Sequence, residues 1–129
     1  SLEGKQVLKF SVYHPERCEE LCAPYFTPAW KDKVTLAAAG KEWMDSTPPH
    51  GEKSIAVEFI RQRLGISLEE TCTFGDNLND IAMLRKAGMS YAVANARAEV
   101  QAAAREVCPS YSEDGVLQIL KRIVSESGK

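Results

Sequence analysis

Thr71-Cys72-Thr73-Phe74-Gly75-Asp76-Asn77-Leu78-Asn79-Asp80-Ile81-Ala82-Met83-Leu84 reads as a buried strand over 71–74, a sharp turn at Gly75-Asp76, and a helix from Asn79 to Ala87. Ile81, Met83, Leu84 and Ala87 supply that helix with a buried side, and Gly88 supplies its C-terminal signal. In a parallel α/β sheet, ligands bind outside the carboxyl ends of the strands, and Gly75-Asp76 occupies such an end. Asp76 and Asp80, four residues apart, can point two carboxylates into one crevice, where amides at a helix start also favour anions. With the Asn79 amide they form an oxygen set suited to a hard cation, of which Mg²⁺ is the commonest beside phosphate. An Asp or Asn at a helix start is also the ordinary N-cap, so neither residue alone decides the matter. An EF-hand calcium loop fits worse, because Leu78 and Ile81 fall where an oxygen ligand and a glycine are needed.

Outward from this stretch the pattern alternates regularly. Upstream, Ile55, Ala56, Phe59, Ile60 and Leu64 recur at helical spacing over Lys53 to Leu64, and Gly65 stops them. Ser67-Leu68-Glu69-Glu70 is a capping box announcing a short turn of helix. Downstream come a strand at Tyr91 to Ala94, a helix from Arg97 to Ala104, a strand at Glu106 to Cys108, and a helix from Gly115 to Val124. Strand and helix alternating at these lengths predict a parallel sheet with helices packed on it.

A different texture precedes Ser46-Thr47-Pro48-Pro49-His50-Gly51, where prolines and glycine predict a domain boundary. Val7 to Tyr13 alternates as a half-buried strand; His14-Pro15 opens a helix that Pro24 ends; Val34 to Met44 is a strand, or two short ones, with Gly40 at the bend.

The 129 residues are 44% apolar and 26% charged, with 8% aromatics and a net charge of -2. Such a chain buries a core but has no positive reservoir for nucleic acid or anionic membranes. No run reaches the roughly 20 apolar residues of a membrane span, and Ser1-Leu2-Glu3-Gly4-Lys5 does not resemble a secretory signal, so a cytoplasmic location is expected. Cys18, Cys22, Cys72 and Cys108 include no C-x-x-C pair and read as buried reduced thiols. His14 and His50 are isolated, with structural or surface roles expected.

Gly75-Asp76-Asn77-Leu78-Asn79-Asp80-Ile81-Ala82-Met83-Leu84, followed by Ala87-Gly88 and Ala94-Asn95-Ala96, resembles the fourth motif, GDxxNDxxML, of the haloacid dehalogenase superfamily, in particular its Cof-type phosphatases with a type II cap. Lys53-Ser54-Ile55-Ala56-Val57 is similar to the group's third motif, K-G-x-A-L, and Ser112-Glu113-Asp114-Gly115-Val116 to its ending. The resemblance implies an α/β fold in which residues 50–129 form the C-terminal part of a doubly wound, Rossmann-like catalytic core. Residues 1–49 would be the C-terminal part of an α+β cap domain. It further implies that Asp76 is a Mg²⁺ ligand, that Asn79 organises the phosphate end of the site, that Asp80 holds the site's network and Lys53, and that Lys53 contacts the transferring phosphoryl group. Positioning and charge neutralisation are what phosphoryl transfer requires. Asn95 reads at least as well as a turn or cap residue.

These phosphatases carry an aspartate nucleophile in a D-x-D-x-T segment, and this sequence contains no D-x-D. The nearest run, Asp45-Ser46-Thr47, lacks the second aspartate. The expectation is therefore a C-terminal fragment, inactive alone. The intact enzyme would hydrolyse a small phosphate ester, with sugar phosphates a family-level guess, through an aspartyl phosphate. Missing the strand that bears the nucleophile, the fragment would expose a sheet edge and could dimerise or swap strands. Near the hinge, Glu42, Trp43 and Asp45 are candidates for touching the leaving group, although a tryptophan reads first as core. The competing class is a non-catalytic binding or regulatory module on the same scaffold, since fold does not fix function.

Overall fold

The computed structural model describes residues 3–49 and 51–128; His50 lies outside them. Two three-stranded sheets are present among the described residues, antiparallel β1-β3-β2 and parallel β4-β5-β6. The mixed α/β class expected from the alternating pattern is the one observed.

The parallel sheet comprises β4 (Cys72–Gly75), β5 (Met89–Val93) and β6 (Glu106–Cys108). Side chains alternate across it, as the two-residue period of a strand requires. Tyr91, Val93 and Cys108 pack with Ile119 of α6 (Gly115–Ser127) on one face, where Phe74 stacks on Tyr91 at 5.4 Å. Ala92 packs with Leu84 of α4 (Ile81–Lys86) and Val100 of α5 (Ala98–Gln101) on the other. Helices on both faces make this the doubly wound arrangement. β5 begins two residues before the expected Tyr91, because the Met89 amide already donates to the Thr71 carbonyl. α5 is shorter than the expected span to Ala104, since after Gln101 the chain tightens into successive turns that lead to β6. α6 outlasts its expected end at Val124.

α3 (Lys53–Leu64) stops at Gly65 as expected, in the left-handed conformation at φ 67°, with the Gly65 and Ile66 amides returning to Gln62 and Arg61. The Ser67–Glu70 capping box also forms, but it closes a turn and starts no helix. Gly88 follows the end of α4, as its reading as a C-terminal signal expects, and it meets a further demand. Ala87 leaves the helix in extended backbone, and a Cβ on Gly88 would stand 2.0 Å from the Leu68 carbonyl oxygen. Glycine is needed there for a close approach of two backbones.

The apolar stripe of α3 forms at helical spacing but is largely exposed. Phe59, Ile60 and Leu64 are 64%, 55% and 65% exposed, whereas Ser54 is the buried residue. α3 leans on α4 with its polar side: Ser54, Val57 and Arg61 face Met83 and Lys86. Lys86 Nζ donates to Ser54 Oγ at 3.4 Å. Among the described residues the parallel sheet ends at β4, and Phe59, Ile60 and Leu64 stay exposed.

The antiparallel sheet holds β1 (Phe10–Tyr13), β2 (Thr35–Ala38) and β3 (Trp43–Thr47). β1 is shorter than the predicted 7–13. The predicted 34–44 strand is two strands, turned at Gly40 with φ +89°. β3 continues through Ser46 and Thr47, paired with Leu36 and Thr35, so the break begins at Pro48. Pro24 starts a helix where it was expected to end one. α1 (Cys18–Leu21) closes at Cys22, and Pro24 sits in the first turn of α2 (Ala23–Trp30), where its missing N–H needs no partner. Phe10, Val12, Leu36 and Met44 face Phe26 and Trp30 of α2, leaving Ser11, Asp45 and Thr47 on the opposite face. Trp43 is not core: it stays 43% exposed, with its ring 4.6 Å from that of Tyr13.

His14 plays a structural part, its Nδ1 accepting from the Arg17 amide at 3.2 Å ahead of α1. All four cysteines are free, and Cys18 and Cys108 are buried. A fork of two hydrogen bonds, 2.8 and 3.3 Å, joins Arg97 to Glu19 and ties the loop after β5 to α1. No helix among the described residues is long and apolar enough to cross a membrane.

Candidate active site at the carboxyl end of β4

Past Gly75 the chain enters a 3₁₀ turn, Leu78–Asp80, before α4 begins at Ile81. This delays the helix by two residues from its expected start at Asn79. The cause is Asp80, whose Oδ2 accepts from the amides of Asp76 at 3.1 Å and Asn77 at 3.2 Å and tightens the turn. Asn77 completes a reciprocal cap through its own side chain, accepting from Leu78 N at 2.8 Å. Gly75 makes room for this: a Cβ there would lie 2.7 Å from Asp80 Cβ and 3.0 Å from Leu84 Cδ1.

Lys53, at the first turn of α3, donates to Asp80 Oδ1. The Asp80 side chain is 3% exposed while that of Lys53 is 53% exposed, so the ammonium projects from a buried anchor toward open space. Burial alone would raise the Asp80 pKa, but the Lys53 hydrogen bond, the two backbone amides and the lysine charge outweigh it and hold the carboxyl below its ordinary value.

Lys53 and Asn79 line a cavity of about 350 Å³ together with Leu78 and Ala82. Its opposite wall is the polar face of the antiparallel sheet: Lys9, Thr35, Asp45 and Thr47. The two-carboxylate crevice predicted from the 76–80 spacing is corrected in part. Asp76 is exposed and does not line this cavity, and Asp80 turns inward because two orphan amides and an ammonium need a buried acceptor. Asn95 is structural, its Oδ1 accepting from Ser110 Oγ at 3.0 Å and the Tyr111 amide at 3.2 Å. Of the hinge candidates, Asp45 reaches the cavity, whereas Glu42 and Trp43 do not line it. Lys9 and Thr35 escaped the sequence reading, and Thr47 was weighed only as part of the run Asp45-Ser46-Thr47. The alternation Lys9, Ser11, Tyr13 against Phe10, Val12 was the available signal.

Asp76 and Asn79 carry oxygen donors of the kind that a hard cation would take. Asn79 Oδ1 is buried without a hydrogen-bond partner among the described residues, an unusual state for an amide oxygen that a metal or a donor would relieve. The Asp76 carboxylate stands three residues before it. No group of three His, Cys, Asp or Glu side chains gathers among the described residues, so these two oxygens would supply only part of a coordination shell.

A strand end of a parallel sheet, faced across a cavity by a second small sheet, is the arrangement of the site. The chain belongs to the haloacid dehalogenase-like hydrolases, whose family profile matches residues 1–120. Bacillus subtilis phosphatase YwpJ is 31% identical over 118 residues, covering 92% of this chain and 40% of that protein. A crystal structure from Eubacterium rectale shares 52% identity with a TM-score of 0.73, covering 92% of this chain and 44% of the other. The structure of a HAD subclass IIB sugar phosphatase shares 30% identity with a TM-score of 0.80, again covering 92% and 44%. The chain thus spans less than half the length of these relatives.

Proposed function

We propose that the full-length protein is a Mg²⁺-dependent phosphatase acting on a small phosphorylated metabolite, with residues 50–129 forming the C-terminal part of the catalytic core and residues 1–49 that of the cap. The observation that carries this reading is the Lys53 ammonium, anchored on buried Asp80 and directed into a cavity that Asn79 shares. An ammonium has three donors; one is held by Asp80, which leaves two for phosphoryl oxygens. Lys53 binds and neutralises the transferring group, Asp80 positions Lys53, and Asn79 orients the phosphate end. Asp76, with Asn79 Oδ1, would hold the magnesium ion, which when bound neutralises charge on phosphoryl oxygens. An aspartate from the rest of the protein attacks phosphorus in line and the bond to the leaving oxygen breaks. Water then hydrolyses the resulting aspartyl phosphate. Because no D-x-D occurs in these 129 residues, the isolated chain releases no phosphate. A cytoplasmic location and a soluble phosphate ester as partner belong to the same proposal.

The test is inorganic phosphate release by the full-length protein from a broad phosphomonoester panel, with and without Mg²⁺. Metal-dependent turnover, abolished in Asp76→Asn, is the expected result; silence across the whole panel refutes the reading.

The isolated chain is also proposed to self-associate. β4 has an unpaired edge among the described residues, and the exposed Phe59, Ile60 and Leu64 of α3 are an apolar patch without a neighbour. Light scattering on the 129-residue chain should give a mass above that of one chain that falls on dilution. A single-chain mass at high concentration contradicts this.

A further inference from the structure

Asp45 occupies the middle of the antiparallel sheet, opposite Ser11 on one side and Ala37 on the other. Its side chain is 18% exposed. Ser11 Oγ donates to Oδ1 at 2.6 Å and Lys9 Nζ donates to Oδ2 at 3.1 Å. Burial would raise its pKa, yet these two hydrogen bonds, with the charges of Lys9 and Lys53, hold the carboxyl below its ordinary value. The carboxylate is therefore ionised, and the field of Lys53 reaches it from the far wall of the cavity both residues line.

A carboxylate offers about four acceptor sites, and Ser11 and Lys9 take two of them. The remainder belong to a side chain on the cavity wall, flanked by the hydroxyl-bearing Thr35 and Thr47. An apolar leaving group seated there would strip water from a charge and return nothing, whereas hydroxyl groups would replace that water with charge-assisted hydrogen bonds. If Lys53 holds the phosphoryl end, as the phosphatase reading requires, the leaving group extends toward this wall.

We infer that Asp45, steadied by Lys9 and Ser11, is a specificity-determining residue that accepts hydrogen bonds from hydroxyls of the leaving group, and so selects hydroxyl-bearing phosphate esters over apolar ones. The inference rests on the phosphatase reading but is separable from it by experiment.

The measurement is kcat/KM of the full-length protein for its best hydroxyl-rich ester among erythritol 4-phosphate, ribose 5-phosphate and glucose 6-phosphate, relative to p-nitrophenyl phosphate, whose leaving group carries no further hydroxyl. In Asp45→Ala that ratio should fall by about 10–100-fold, mainly through KM, as expected for loss of hydrogen bonds to a charged group. Asp45→Ala also deprives Lys9 and Ser11 of their partner within the sheet, so the isosteric Asp45→Asn is measured beside it and decides the outcome if alanine prevents folding. A fall of the ratio in Asp45→Asn supports the inference. A ratio that stays within twofold of wild type overturns it and leaves the phosphatase reading intact. Wild-type protein inactive on every ester overturns both.

Discussion

Lys53→Met in the full-length protein lowers kcat/KM for phosphate release by about 10²–10³-fold, the range observed when one preorganised donor is removed from a developing oxyanion. Methionine keeps the length and apolar stem of lysine but contributes no charge and no donor, so the loss reports the ammonium. The effect also appears in stability. Wild-type Asp80, whose folded pKa is depressed, contributes stability above the pKa of the unfolded carboxyl, near 3.8, and loses it as pH falls through the lower folded value. Without Lys53, two backbone amides alone oppose burial, the folded pKa moves upward, and the acid-side loss of stability begins at a higher pH. Denaturant melts across about pH 2–6 follow this directly. Equal acid limbs in wild type and Lys53→Met would mean that the lysine does not support Asp80.

Gly75→Ala is expected to be the most damaging single methyl group near the site. The added Cβ would lie 2.7 Å from Asp80 Cβ and 3.0 Å from Leu84 Cδ1. Neither neighbour is a loose side-chain end: Asp80 is fixed by Lys53 and the amides of Asp76 and Asn77, and Leu84 is in the core. Overpacking of this kind costs about 1–3 kcal/mol, read as a lower denaturation midpoint. Because the displaced group is the anchor of Lys53, activity falls in the protein that remains folded, by about 10²-fold for a misplacement near 1 Å. Loss of stability with unchanged kcat/KM would separate Asp80 from the positioning of Lys53.

The parallel half of the fold was legible because its signals are local. Gly65 and the Ser67–Glu70 box act within a few residues, and the alternation of strand and helix needs no knowledge of neighbours. α3 shows the limit. Its spacing identifies Phe59, Ile60 and Leu64 as an apolar stripe, but a stripe does not reveal what lies against it, and here the helix meets α4 through Ser54 and Arg61 instead. The crevice shared by Asp76 and Asp80 failed for a related reason, whereas the contact of Asp80 with Lys53 that the resemblance implies is present. Four-residue spacing brings two carboxylates to one end of a turn, while the demand of two orphan amides, which turns one of them inward, is written in backbone geometry. Pro24 was ambiguous because proline both ends helices and opens them, and the choice depended on the short α1 before it. The far wall of the cavity required register. Lys9 and Asp45 are 36 positions apart, and only the pairing of β1 with β3 brings them together.

The most direct measurement is a crystal structure of the full-length protein with Mg²⁺ and orthovanadate, an anion that imitates a phosphoryl group in transfer. The account predicts a vanadate oxygen within hydrogen-bond distance of Lys53 Nζ, with the metal on the Asp76 carboxylate. Vanadate bound away from Lys53, with that ammonium engaged by Asp80 alone, would contradict it.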